Sequence, residues 1–187
     1  MKSGLTVRLD NSKAILDALK TIGNRDVLVG IPQSADERPP EEGEKPTFGN
    51  AAIGYINEKG SPAQNIPPRP HLEPGVQSVQ PQTVEKLKAA ALAVLEGNSG
   101  AAERALESAG IIASQAVKRY MTITGFTPLA DSTLAARARR GRKGAAKELE
   151  SRAAGNDPDN ANARPLIDTG EYRNSITYVV RAKNAKS

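Results

Sequence analysis

Leu5, Val7 and Leu9 alternate with Thr6, Arg8 and Asp10, a period of two that predicts a strand. Asn11 or Ser12 then caps a helix carrying Ile15, Leu16 and Leu19, and Gly23-Asn24 ends it. The run from Asp26 to Pro32 predicts a second strand, apolar enough to be central in its sheet and stopped by a proline that has no N–H for the ladder. Residues 32–46 are acidic, proline-bearing and poor in large apolar groups, which is the composition of an exposed loop that a partner would order. Thr47 caps a further helix with Phe48, Ala51, Ala52, Tyr55 and Ile56 on one face, closed by Gly60. From Ser61 to Pro70 the chain is an extended connector, because Pro67, Pro68 and Pro70 forbid helix.

Two longer helices follow. The first runs from about Gln82 to Glu96, with Val84, Leu87, Ala91 and Val94 in register. The second runs from about Ala101 to Ile123 and carries a narrow stripe of mostly small side chains: Ala102, Leu106, Ala109, Ala113, Ala116, Val117 and Tyr120. At about 1.5 Å per residue it would extend roughly 33 Å, and its small residues permit close approach of a neighbour. Gly97-Asn-Ser-Gly100 is a tight reversal, so residues 82–123 form an antiparallel helical hairpin. Pro128 breaks the second helix and Asp131 or Ser132 caps the next, a basic stretch interrupted by Gly141 and Gly144. Residues 156–164 are polar and read as flexible, as does the basic segment 137–164 as a whole. At the end, Ile176, Tyr178 and Val180 alternate with Thr177, Val179 and Arg181 as a half-buried strand. The 187 residues fit a single domain of the α+β class.

Composition narrows the chemistry. Hydrophobic residues make up 38% and aromatics 3%, with no Trp, so the core is built mainly of Ala, Val, Ile and Leu, and neighbouring subunits are expected to supply part of the stability. With no Cys there are no disulfides or thiolate metal sites, and with one His any metal centre would have to be carboxylate-rich; no cofactor is implied. No apolar run approaches the roughly 18 residues of a membrane span, and the N-terminus lacks a signal-peptide apolar core, so a soluble protein made in the cytoplasm is expected. The net charge of +5 is unevenly spread. Asp36 to Lys45 holds five carboxylates, Glu41, Glu42 and Glu44 among them, while Arg137 to Arg152 holds seven cations, including Arg139 and Arg140. Opposite patches on one chain suit head-to-tail contact between copies.

Asp168-Thr169-Gly170 after an aliphatic pair carries the signature of an aspartic protease, which needs two such loops facing each other so that the carboxylates share a proton. One copy is present, so catalysis would require a dimer, and residues 171–187 are too few to build the barrel that should follow the loop. The competing reading is structural: Asp168 or Thr169 caps a short helix whose first turn holds Glu171. His71 as a base or ligand lacks a nucleophile or second ligand at motif spacing, which leaves packing as its role.

Three separated pieces together resemble the tail-completion, or neck, proteins of tailed bacteriophages, the small head-tail joining family. One is Gly54-Tyr55-Ile56-Asn57-Glu58-Lys59-Gly60 followed by Ile66-Pro-Pro-Arg-Pro-His-Leu72, similar to a helix ending in a Glu-aromatic-Gly turn and then an "IPaRPFL" segment. The second is Thr127 to Leu134, similar to a "PLspsT" turn, and the third is Pro165 to Ile176, which resembles "pLidTGxLrxSI". Order and spacing agree from about Val27 to Val180. The chain departs from the pattern where His71 replaces the usual Phe, Tyr172 replaces Leu, Phe126 stands where Trp is common, and the acidic loop has no counterpart.

This resemblance implies a small mixed β-sheet packed by long helices, and a non-enzymatic subunit that assembles as a homo-oligomeric ring, hexamer rather than dodecamer, around the DNA channel of the virion neck. Its neighbours would be the head-closure or connector protein on one side and the tail-terminator or tail-tube protein on the other, with no membrane. Arg69 and Pro70, held on a stiff proline-rich backbone, are candidate contacts to an acidic neighbour, as are Glu41, Glu42 and Glu44 to Arg137, Arg139 and Arg140. A second reading is a basic protein that binds nucleic acid non-specifically through the Arg137–Arg152 cations. Against it, no aromatic residues interleave with them for base stacking.

Overall fold

A computed structural model describes residues 11–37 and 48–183. The strand expected at residues 5–9, the Thr47 cap and Glu41, Glu42 and Glu44 lie outside the described residues. Among the described residues, eight α-helices and two strands follow in the order α1 (Ser12–Gly23), β1 (Arg25–Gly30), α2 (Asn50–Lys59), α3 (Leu72–Gln77), α4 (Gln80–Leu95), α5 (Ser99–Ile123), α6 (Asp131–Arg139), α7 (Lys143–Ala153), α8 (Glu171–Ser175) and β2 (Thr177–Ala182). The α+β class holds. Among the described residues the sheet is the antiparallel pair β1–β2, with Arg25 opposite Ala182 and Gly30 opposite Thr177, so the mixed and central-strand expectations find no parallel partner there.

α5 is the organising element, and α3, α4, α8 and both strands pack on it. The side chain of Asn98 accepts from the Ala101 N–H at the start of α5 and so satisfies one of the orphan donors of a helix N-terminus. The hairpin with α4 forms as the Gly97–Gly100 reversal predicts. Its buried face is narrower than expected. α4 buries Ala90 and Ala93, whereas Val84 and Leu87 of the anticipated stripe are exposed together with Leu92 and Leu95. Small side chains let the two axes approach, and the larger ones are displaced outward. α1 packs on α4 but buries none of its residues, leaving Ile15, Leu16 and Leu19 exposed.

On the other side of α5 the main core gathers Val117 and Met121 with Phe126, Leu166, Tyr172 and Ile176. β2 presents Tyr178 inward, as the alternation predicts, and its ring seats directly on Gly110: a Cβ built there would lie within 3 Å of the Tyr178 ring and of its Cβ. Here the absence of a side chain lets the sheet lie on the helix. α2 also turns differently from expectation. Asn50 and Gly54 are its buried residues, while Phe48 and Tyr55 are exposed, because the Tyr172 ring approaches at Gly54.

The segment 137–164, read as flexible, holds the end of α6, all of α7 and an irregular stretch after it. α6 and α7 form a small hairpin over a second core of Leu129, Leu134, Ala145 and Ala163, with Gly141 in the turn at a φ of 82°. Residues 156–164 are pinned rather than loose: Asn160 donates to the Phe126 carbonyl at 2.6 Å, and Asn162 and the Asp159 N–H both donate to Glu148 at 3.2 Å. Among the described residues, no helix is long and apolar enough to cross a membrane.

Gly110→Ala should force the sheet off α5 and lower the unfolding free energy by about 1–3 kcal/mol, as overpacking does in other cores. Thermal or urea unfolding followed by circular dichroism measures this, and an unchanged midpoint would remove Gly110 from that role.

Candidate functional site

The connector from Ser61 to Pro70 cannot hydrogen-bond regularly through its prolines, so its position must be fixed by side chains and by neighbouring backbone. Arg69 does this from the connector's end. Its Nε and Nη2 both donate to the Thr127 carbonyl at 3.1 Å, with a longer contact from Nη2 to Pro128 O at 3.5 Å. The residue is only 5% exposed. The expectation that Arg69 reaches an outside acidic neighbour is corrected to this extent: its bonds tie the connector to the turn after α5. Pro70 is exposed.

Arg137 makes the matching link from α6. Nη1 donates to the carbonyls of Arg164 at 2.9 Å and Ile167 at 3.1 Å, and Nη2 to that of Pro165 at 3.0 Å. It is thus buried inside the chain, not presented to a partner, and burial and the guanidinium groups of Arg140 and Arg142 depress its pKa against the opposing pull of Asp168. It remains a cation, as arginine does in proteins. Arg139 is exposed.

Asp168 collects charge rather than capping a helix. Its Oδ2 lies 3.2 Å from Arg140 Nη2 and 3.8 Å from Arg137 Nε, and Oδ1 accepts from Arg142 Nε at 3.1 Å. The cap comes from Thr169, whose Oγ1 accepts the Glu171 N–H at 3.2 Å. Gly170 sits between them at a φ of 90°, a left-handed conformation that glycine adopts without a Cβ penalty, and it delivers the chain into α8. The Asp-Thr-Gly sequence is here a turn whose carboxylate is held by guanidinium groups. Arg152, further along the same basic run, bonds Glu148 at 3.0 Å and Asp131 at 2.7 Å. Burial alone would raise the Glu148 pKa, but donors from Asp159, Asn162 and Arg152 outweigh it and hold the carboxyl below its ordinary value.

His71 is fully buried, and packing is only part of its work. Its Nδ1 is 2.7 Å from the Arg69 carbonyl, an acceptor only, so Nδ1 carries the proton and Nε2 is left to accept from the Tyr172 hydroxyl in α8. The rings meet edge to face with centroids 5.6 Å apart. Glu58, near the end of α2, accepts the His71 N–H at 2.8 Å and the Leu72 N–H at 3.1 Å, placing a carboxylate at the start of α3. Burial pushes the His71 pKa down, against the Arg69 carbonyl and the Glu58 charge, and burial followed by the Glu58 charge pushes that of Tyr172 up.

The three pieces of sequence therefore converge. Glu58 and His71 lie in the first, the Thr127 and Pro128 carbonyls in the second, and Pro165, Ile167, Asp168 and Tyr172 in the third. The roles of Glu58, Arg137 and Tyr172 as internal ties were not anticipated from the sequence. His71 and Tyr172 each carry a hydrogen-bonding group at a buried position. They are each other's partner. Between the connector and the turn before α6 runs an open groove of about 730 Å³, lined by Pro67, Pro68, Pro128 and Thr133 with Arg69 and Arg137. Among the described residues, no group of three or more His, Cys, Asp or Glu is placed to hold a metal ion. Comparison with protein-family models, curated proteins and solved structures finds no match.

Two outcomes check this arrangement. The folded His71 pKa is depressed below its ordinary 6.5, so its contribution to stability is present above that pH and is lost as pH falls from there through the folded value. His71→Phe with Tyr172→Leu should abolish that loss and cost less than the sum of the single variants by about 1 kcal/mol or more; additive singles in a double-mutant cycle would refute the pairing. Asp168→Asn should destabilise by about 2 kcal/mol, since Arg137 keeps its buried charge and loses its nearest carboxylate, and an unchanged urea midpoint would show that the ion cluster does not matter.

Proposed function

We propose that this protein is a non-enzymatic structural subunit of a tailed-bacteriophage neck, a homo-oligomeric ring, hexamer rather than dodecamer, that completes the tail or joins it to the head. The observation that carries this reading is the convergence just described. Segments from about residues 54–72, 127–134 and 165–176, each similar to a motif of that family, meet through Arg69, His71, Tyr172 and Arg137.

The surface fits an assembly subunit. Ile15, Leu16 and Leu19 of α1 and Leu87, Leu92 and Leu95 of α4 stand exposed on two helices that pack together, apolar positions that a neighbouring subunit would cover. The head-closure or connector protein and the tail-terminator or tail-tube protein would flank the ring, within a virion assembled in the host cytoplasm.

Binding to nucleic acid through residues 137–152 is less favoured, because those cations are largely spent inside the chain. Arg137 serves backbone carbonyls, Arg140 and Arg142 meet Asp168, and Arg152 meets Glu148 and Asp131, while Arg139, Lys143 and Lys147 are exposed. Transient, non-specific contact with DNA passing through the channel is compatible with that remainder. The Asp168 carboxylate, engaged by guanidinium groups, argues against a protease.

Light scattering and negative-stain images should give a ring in the purified protein or on tail tubes, and particles lacking the protein should separate into filled heads and finished tails. A monomer that binds DNA with steep salt dependence, or that cleaves peptides, would overturn the reading.

A further inference from the structure

A ring of identical subunits needs two different faces on each chain, and two faces of unlike chemistry stand open here. One is aliphatic and basic. α1 is twelve residues long, at the limit of what holds as a helix without tertiary cover, yet it buries none of its side chains. Ile15, Leu16 and Leu19 are exposed on it, and so are Leu92 and Leu95 of α4, on which it packs. The same two helices carry exposed Lys13, Lys20 and Lys86 against Asp17, while Lys88 pairs with Glu85 at 3.0 Å. The other face is aromatic and acidic. Phe48, just before α2, and Tyr55 within it are 56% and 69% exposed, and Tyr55 is the most exposed large hydrophobic side chain among the described residues. The chain has four Tyr, two Phe and no Trp, so two of its few aromatic rings are left uncovered at one helix. Packing explains why Tyr55 points out: α2 turns Asn50 and Gly54 inward, where the Tyr172 ring closes on Gly54. Carboxylates stand at the start of the same helix, where Asp36 accepts the Ala51 N–H at 2.6 Å and Glu37 beside it is exposed.

We propose that Phe48 and Tyr55, with Asp36 and Glu37 beside them, dock head to tail on the α1–α4 face of a second copy of the chain. This rests on the ring reading above and names the two surfaces that meet in it. Charge selects the partner. A second copy of the α1–α4 face would set lysines against lysines, a juxtaposition that disfavours a wrong contact, whereas the start of α2 brings carboxylates to them. Shape agrees with charge. Aromatic side chains supply the anchors of interface cores, and open leucines on a helix pair are apolar surface on which such rings can pack. The two faces rest on different supports, α1 on α4 and α2 on α8, so one chain can offer both at once. A contact between unlike faces repeats from copy to copy and closes into a ring when the rotation allows, without a two-fold patch.

Because the chain has no Cys, introduced thiols report this contact without background. One preparation of the full chain carries Leu16→Cys and another Ala51→Cys, both at exposed positions. A short bis-maleimide added to the mixture at high protein concentration should join position 16 of one copy to position 51 of another. Products joining 16 to 16 in place of these would reveal a two-fold contact, and the absence of 16-to-51 products would show that the faces do not meet; either overturns the proposal. Sedimentation gives a second measure. Tyr55→Ala should weaken self-association about tenfold or more, as should Lys13→Glu with Lys20→Glu at low salt, and adding Glu37→Lys to that pair should recover most of the loss. A folding defect would not be recovered in this way, so self-association that Tyr55→Ala leaves unchanged, or no recovery, also overturns the proposal. Images separate it from the ring reading. Closed rings without any 16-to-51 product would sink this contact and leave the ring standing; 16-to-51 products in open oligomers that never close would keep the contact and sink the ring.

Discussion

Two buried arginines fasten segments that have no ladder of their own. A buried carbonyl must find a donor, because leaving it unsatisfied costs more than a made bond gains net. The connector at 61–70, the turn at 124–130 and the stretch at 156–170 are largely irregular, and buried Arg69 and Arg137 tie them to one another. Arg69 and Arg137 satisfy five of their carbonyls, those of Thr127, Pro128, Arg164, Pro165 and Ile167. Each bond to a charged donor is worth about 1.5–3 kcal/mol. In a chain with 3% aromatic residues that is a large share of what positions the loops.

The same constraint explains the fate of the basic run. Guanidinium groups that satisfy carbonyls carry charge inward, and that charge needs an anion nearby. Asp168 supplies it for Arg137, Arg140 and Arg142, and Gly170 allows the tight turn that brings the carboxylate there. What resembles a catalytic triplet is thereby accounted for by electrostatics and backbone geometry. At Arg69 the side-chain bonds go to main-chain carbonyls, and among the described residues no carboxylate plays the part of Asp168.

Much of the fold was legible because it depends on local signals. The α4–α5 hairpin follows from a reversal at Gly97–Gly100 between periodic stretches, and β2 from strict alternation. α3 was not legible, since Pro74-Gly75 reads as a break; Pro74 is tolerated because it lies in the first turn, where no intrahelical donor is lost. The helix of residues 143–153 was obscured by flanking glycines and charge. The orientation of an arginine is harder still, because nothing adjacent to Arg69 or Arg137 reports whether a carbonyl waits fifty residues away. Charge was counted correctly along the chain, but its destination is a tertiary fact.

His71 and Tyr172 show how one buried polar group calls for another. Either residue opposite an apolar side chain would bury a polar group without that partner, at a cost of about 1–3 kcal/mol. Together they bond each other, and Glu58 and the Arg69 carbonyl complete the set. The bond spans 101 residues of sequence and ties α8 to the start of α3, so one contact fixes two segments that share no ladder.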